Sequence, residues 1–154
     1  DFAVSVQTDG RVGRESMTTE KQSYTIADLL ALDNDALNAM AAELRGWTLR
    51  VEEYRIGHPL IEAGVLRDYI SADGRTMSAV ADYSPSLDRN QSRACLKHAT
   101  TNGVRVDVCF RPEVAYTTFY IEAIPLMRTV QGNDARAETV AFCAAMLAMA
   151  GRLK

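Results

Sequence analysis

The sequence predicts an α+β fold in which helices pack on a mostly antiparallel sheet, in the order α-β-β-α-β-β-α. Residues 33–46 and 134–150 carry apolar side chains at helical spacing. Residues 104–110 and 114–124 alternate as strands do, and Asp73-Gly74 has the composition of a hairpin turn. Helices interspersed with antiparallel strands are typical of a layered α+β domain.

One domain accounts for most of the chain. The 154 residues are 47% hydrophobic and 24% charged, a length and composition that suit one domain around one core. Met17, followed by small polar residues, has the character of a natural start. Residues 1–16 are therefore expected to be an appended or upstream-translated segment, and residues 1–24 together are predicted to be a leader, disordered or not native to the protein. Residues 25–154 are predicted to form a single α+β domain.

Charge and cysteine usage narrow the classes of function. A formal net charge of −3 argues against direct nucleic-acid binding, which usually requires a basic excess. The cysteines are scattered and there are two histidines, so we expect reduced thiols in a cytoplasmic protein, with no metal site and no cofactor. The longest apolar run, residues 140–150, is shorter than the ~20 residues that span a bilayer, which predicts no membrane partner.

The first predicted helix begins after Asp33, a good N-cap, and ends at Gly46, which supplies the left-handed C′ position. Its core-facing positions follow helical spacing: Leu37, Met40, Ala41 and Leu44. Residues 47–56 follow as a strand. Residues 66–83 are predicted to form a hairpin around a two-residue turn at Asp73-Gly74.

Residues 84–99, SPSLDRNQSRACLKHA, are predicted to form the second helix. Ser84 or Ser86 is its expected N-cap, and Asn102-Gly103 closes it. The positions expected to face the core are Leu87, Ala94, Cys95 and Ala99.

The same helix carries a basic stripe. Arg89, Arg93 and Lys97 recur every four residues, which places them on one face. Such a stripe suits a phosphate group or an acidic protein surface, and a merely solvated face has the same pattern. Ser86 and Asp88 belong to the first turn, and His98 lies about ten residues, or ~15 Å, further along the helix, so the stretch does not hold a nucleophile–base–orienter set.

The strand at 114–124 carries aromatic side chains on both faces. Tyr116 and Tyr120 share one face, and Arg105 is on the polar face of the strand at 104–110. If helices cover one side of the sheet, a tyrosine-bearing face remains open, and tyrosine and arginine are enriched at binding hot spots. If helices cover both sides, the tyrosines belong to the core.

The last predicted helix, capped by Asn133 or Asp134 and running to about Ala150, is apolar nearly all round. Such a helix is buried in a core or in a subunit contact. We predict a homo-oligomer whose contact uses one side of this helix, formed by Phe142, Met146 and Met149.

Catalytic patterns are scarce. The sequence has no P-loop, G-x-S-x-G or H-E-x-x-H motif. The adjacent Glu52 and Glu53 point to opposite faces of a strand, so they do not act as an acid–base pair. Asp68 and Asp82 are the carboxylates to test for a hydrolase or nuclease. No residue is assigned a catalytic role.

Three segments together resemble the phage ABA sandwich domain family of small phage and prophage proteins. They are LDNDALNAMAAELRGW, ADYSPSLDRNQSRACLKHA and AETVAFCAAMLAMAGRL. Members open with a capped helix ending in Gly-Trp, matched by Gly46-Trp47, and continue with a Tyr-Ser turn, matched by Tyr83-Ser84. The resemblance covers roughly residues 30–152. It implies an accessory protein acting in the host cytoplasm, and it brings no catalytic residues.

The phage origin that the resemblance implies leads us to consider three functions, in this order. The first is a non-enzymatic protein that antagonises a host defence system by binding a host protein, as an anti-CRISPR does. The second is a sponge that sequesters a nucleotide second messenger. The basic stripe and the two tyrosines would hold the phosphates and the base of that messenger, and Arg105 is a further binding candidate. The third is a small hydrolase or nuclease.

Overall fold

The computed structural model describes residues 22–53, 65–110, 115–121 and 126–154. The predicted leader, residues 1–24, lies outside the described residues except for its last three. Tyr24 forms a parallel bridge with Leu153, and its backbone N–H donates to the carbonyl of Arg152 at 2.8 Å. The start of the described chain is thus tied to its C-terminal end.

The α+β fold class is confirmed. In the described part of the chain the elements are α1 (Ile26–Ala31), α2 (Asn34–Leu44), β1 (Thr48–Glu53), β2 (Val65–Ile70), β3 (Met77–Ala79), α3 (Arg89–Thr101), β4 (Val104–Phe110), β5 (Ala115–Ile121), β6 (Leu126–Gln131) and α4 (Ala135–Met149). Strands β1, β2 and β3 form one antiparallel sheet, and β4, β5 and β6 form another. The predicted sheet is therefore two sheets of three strands, called here the first and the second sheet.

Helix α4 lies at the centre of the main core. It packs on the other three helices and on β5 and β6, because alanines on several sides allow close approach. Phe142 is fully buried in this core. Of the residues predicted for an oligomer contact, Phe142 is thus buried inside this chain. Met146 packs at the margin of the core, and Met149 is 40% exposed.

The predicted first helix corresponds to α2. The Asp33 side chain accepts the Ala36 N–H at 2.8 Å, and Gly46 adopts the left-handed conformation with φ of +78°. Leu37 and Ala41 are fully buried, as the helical spacing predicted. Local capping signals were sufficient here because both ends of α2 use short-range hydrogen bonds.

The predicted N-cap of α3 is wrong. Asp88, and neither Ser84 nor Ser86, caps the helix, because its carboxylate accepts the N–H groups of Asn90 and Gln91. The residues before it form turns, which delays the helix by one turn. Leu87 is consequently 71% exposed rather than buried. Of the other predicted core positions, Ala94 is exposed, whereas Cys95 and Ala99 are buried.

Other differences concern short elements. The hairpin between β2 and β3 is present, but its connection is longer than two residues, since Ser71 N–H donates to the Thr76 carbonyl at 2.9 Å. Helix α1 has six residues, too few to show a periodicity. Strand β6 was not predicted. Arg128 pairs with the buried Phe119 and places a charged residue where an alternating strand would have an apolar one.

No helix in the described residues is long and apolar enough to cross a membrane.

Candidate functional site

The second sheet has one covered and one open face. Along β5 every other side chain is buried toward the helices: Ala115, Thr117, Phe119 and Ile121. Tyr116, Thr118 and Tyr120 alternate with them and point to the opposite face, where each is half-buried. Within the residues that the structure describes, helices pack on one side of this sheet, which is one of the two arrangements that the sequence allowed, and the tyrosines lie on the other side.

Arg105 and Tyr120 are cross-strand neighbours on this open face. The Arg105 guanidinium lies 4.6 Å from the centroid of the Tyr120 ring, within the range of a cation–π interaction. Arg105 Nη2 also donates to Asp107 Oδ2 at 2.9 Å. The guanidinium is thus held over the ring while much of its surface stays accessible.

Strand β6 completes the open face. Thr129 pairs with Thr118, and their hydroxyl oxygens are 3.4 Å apart. Met127 lies beside Tyr120 and is 64% exposed. We call this surface the tyrosine face; it consists of Arg105, Asp107, Cys109, Tyr116, Thr118, Tyr120, Met127, Thr129 and Gln131. It is one face of the pleated sheet formed by β4, β5 and β6.

Two arginines of the predicted basic stripe lie beside a buried carboxylate. Glu138 of α4, with a side chain 2% exposed, accepts a hydrogen bond from Ser92 Oγ at 2.7 Å. Arg89 Nε is 4.0 Å from one carboxylate oxygen, and Arg93 Nε is 3.6 Å from the other. Both arginines therefore balance a buried charge, whereas Lys97 is exposed further along α3.

The basic stripe and the tyrosine face are not brought together. Helix α3 packs against α4 and β4 on the covered side of the second sheet, while Tyr116 and Tyr120 point away from that side. A nucleotide that contacted the tyrosines would have the thickness of the sheet between itself and Arg93. Of the predicted binding residues, Arg105 is the cation that shares a surface with the tyrosines.

A buried polar cluster that the sequence did not reveal lies where α2, α3 and the loop before α3 meet. Tyr83 Oη is 3.5 Å from Arg45 Nη1 and 3.7 Å from Cys95 Sγ, and the Arg45 guanidinium lies 4.6 Å from the Trp47 ring centroid. Burial raises the pKa of the Tyr83 hydroxyl and of the Cys95 thiol, and it lowers the pKa of the His98 imidazole. These shifts favour the neutral forms, which suits packing rather than an activated nucleophile.

The carboxylates considered for hydrolysis have separate surroundings. Asp68 on β2 is buried and accepts a hydrogen bond from Arg50 Nη2 at 2.9 Å. Asp82 is exposed, and its backbone carbonyl accepts a hydrogen bond from the Gln91 side chain. In the described part of the chain, no three His, Cys, Asp or Glu residues are grouped in a way that could hold a metal ion.

Comparison with known proteins gives no relative: the chain matches no protein-family model, no curated protein and no solved structure.

Proposed function

We propose that this protein is a non-enzymatic binding protein whose tyrosine face docks on the surface of a partner protein. The observation that carries the proposal is that Tyr116, Tyr120 and Arg105 share one face of the second sheet, the face on which no helix of the described residues packs. Tyrosine and arginine, together with tryptophan, are enriched among the residues that contribute most to protein–protein binding energy. Exposed Met127 adds an adaptable apolar contact on the same surface.

The shape of the surface favours a protein over a nucleotide. Small-molecule sites are concave and bury most of the ligand, whereas the tyrosine face is the outer surface of a three-stranded sheet. A nucleotide would also need cations for its phosphates. Arg89 and Arg93 lie on another side and are engaged with Glu138.

The kind of partner proposed here is based on the sequence resemblance to small phage proteins. Small phage accessory proteins without catalytic motifs often act by binding, so we propose a host defence protein as the partner. The acidic balance of the chain suits a partner with a basic surface, such as the groove in which a defence protein binds nucleic acid.

Native mass spectrometry of the tagged protein, recovered from phage-infected bacteria, tests the proposal. We expect a stoichiometric complex with a host protein, and we expect it to be lost in the double variant Arg105→Ala, Tyr120→Ala. The matched control is Arg93→Gln on α3, which leaves the tyrosine face intact. Glutamine is preferred to an acidic residue because Arg93 lies beside the buried Glu138.

Two results would count against the proposal. A nucleotide-sized adduct that Arg93→Gln removes would favour the messenger sponge. A bare chain, or a complex that survives the double variant, would show that the tyrosine face is not the docking surface.

A further inference from the structure

The described chain contains two units in which the secondary-structure elements follow the same order. In each unit an Asp-capped helix ends at a glycine in the left-handed conformation and leads into a three-stranded antiparallel sheet. The caps are Asp33 and Asp88, and the glycines are Gly46 with φ of +78° and Gly103 with φ of +92°. The first unit is α2 with the first sheet, and the second is α3 with the second sheet.

The two sheets differ in how they are covered. In the second unit, α3 packs on β4, and α4 packs on β5 and β6. In the first unit, α2 packs chiefly on α4, and the buried contact with the sheet is the small cluster of Ala42, Tyr69 and Tyr83. Among the described residues, therefore, no helix lies along the first sheet as α4 lies along the second.

A groove of about 800 Å³ occupies this position between α2 and the first sheet. Tyr69 and Tyr83, with ring centroids 5.3 Å apart, contribute to its lining, and Val65 and Leu87 line it with side chains 52% and 71% exposed. Leu49, which pairs with Tyr69 on the same sheet face, is 51% exposed. The result is an apolar strip that lies beside α2 and is open to solvent.

Acidic groups border the strip. Asp35 of α2 lines the groove and, after burial, is the second cause of the raised pKa of Tyr69. The exposed Asp82 directly follows lining residues 79–81, and the exposed Glu53 pairs with Val65. Among the described lining residues the charged side chains are Asp35 and Arg67, so the acidic excess comes from the bordering Asp82 and Glu53. The local charge is thus complementary to a basic ligand.

We infer that this groove binds an amphipathic helix of a partner protein, with basic residues beside its apolar face. The helix would take on the first sheet the place that α4 has on the second. A six-residue strand is ~20 Å long, which a helix of about 13 residues matches. The site is separate from the tyrosine face and does not depend on the function proposed for that face.

The probe is a fluorescent peptide of about 14 residues made of leucine and lysine, with the leucines at helical spacing. Its counterpart replaces every lysine with glutamate. Fluorescence anisotropy with the full chain should show binding of the Leu–Lys peptide and at least about tenfold weaker binding of the Leu–Glu peptide.

Variants locate the site. We expect Asp35→Lys to weaken binding about tenfold, while Glu43→Lys, the same charge change at an exposed position of α2 outside the groove, leaves it nearly unchanged. Leu87→Ser tests the apolar strip without changing charge, and Met127→Ser on the tyrosine face is its control. Leu87 and Met127 are exposed, so folding should be retained.

Several outcomes would overturn the inference. Equal loss in Asp35→Lys and Glu43→Lys would mean attraction by the general acidity of the chain. Self-association that Leu87→Ser abolishes would identify a second copy as the occupant. No binding of either peptide would mean that the chain itself covers the groove.

Discussion

Glu138 places a carboxylate in the interface between α3 and α4, where Ser92 donates to it and two arginines approach it. We predict that Glu138→Ala lowers the free energy of unfolding by about 1–3 kcal/mol, because the Ser92 hydroxyl loses its acceptor and the arginines lose their counter-charge. Glu138→Gln keeps an acceptor and most of the volume, so it should cost less. Urea denaturation measures both. Stability equal to the wild type in Glu138→Ala would show that the buried contacts contribute nothing.

His98 gives the molecule a pH-dependent component of stability. Burial, and secondarily Arg45, lowers the pKa of its imidazole below the ordinary 6.5. The unfolded chain then binds more protons than the folded one between the two pKa values. This contribution to stability is therefore fully present above pH 6.5 and is lost as the pH falls toward the folded pKa.

The variant His98→Gln isolates this contribution, because carboxylates titrate alike in both proteins. We predict that unfolding free energy drops more in the wild type than in His98→Gln between about pH 7.5 and about pH 5.5. Urea titrations at the two pH values measure the difference. The same drop in both proteins would refute the assignment to His98.

At the scale of elements, the start of α3 depends on Asp88. Its carboxylate accepts the N–H groups of Asn90 and Gln91, two donors that a helix N-terminus otherwise leaves without partners. We predict that Asp88→Ala costs about 1 kcal/mol in urea denaturation. Ser86→Ala is the control, since Ser86 Oγ is buried and, in the described structure, has no hydrogen-bond partner. A larger loss in Ser86→Ala than in Asp88→Ala would restore Ser86 as the cap.

Elements with local signals could be predicted, and those that depend on distant contacts could not. Helices α2 and α4 have an Asp cap before them and a glycine shortly after, so their ends agree with the prediction. At α3 the sequence indicated Ser84 or Ser86 as the cap, whereas the position of Asp88 depends on the turn before the helix, where Asn38 of α2 accepts the Ser86 N–H at 2.9 Å. That contact spans 48 residues and leaves no local pattern.

The candidate site could also be predicted only where its features depend on local sequence. Alternation along β5 predicted that Tyr116 and Tyr120 share a face, but which face stays open is decided by where α4 packs. The helical spacing of Arg89 and Arg93 predicted a basic stripe. Their association with Glu138 joins α3 to α4, and a repeat of four residues on one helix carries no information about the other.

At the scale of the whole molecule, most elements of the main core pack against one helix, α4. Because α4 packs on β5 and β6 of the second sheet and on the other helices, it covers the inner face of that sheet and leaves the tyrosine face outside. The first sheet has a smaller buried contact, centred on Tyr69 and Tyr83. The molecule thus has two separate surfaces for which binding is proposed: the tyrosine face of the second sheet and the groove beside α2.

Site-specific photocrosslinking tests the central claim most directly. A benzophenone amino acid replaces Thr129 on the tyrosine face or, as a matched control, the exposed Thr101 on α3. In extracts of phage-infected bacteria, we predict a protein adduct from position 129, none from position 101, and loss of the adduct when Arg105→Ala and Tyr120→Ala are added. No adduct from position 129, or equal adducts from both positions, would contradict the claim that the tyrosine face binds a partner protein.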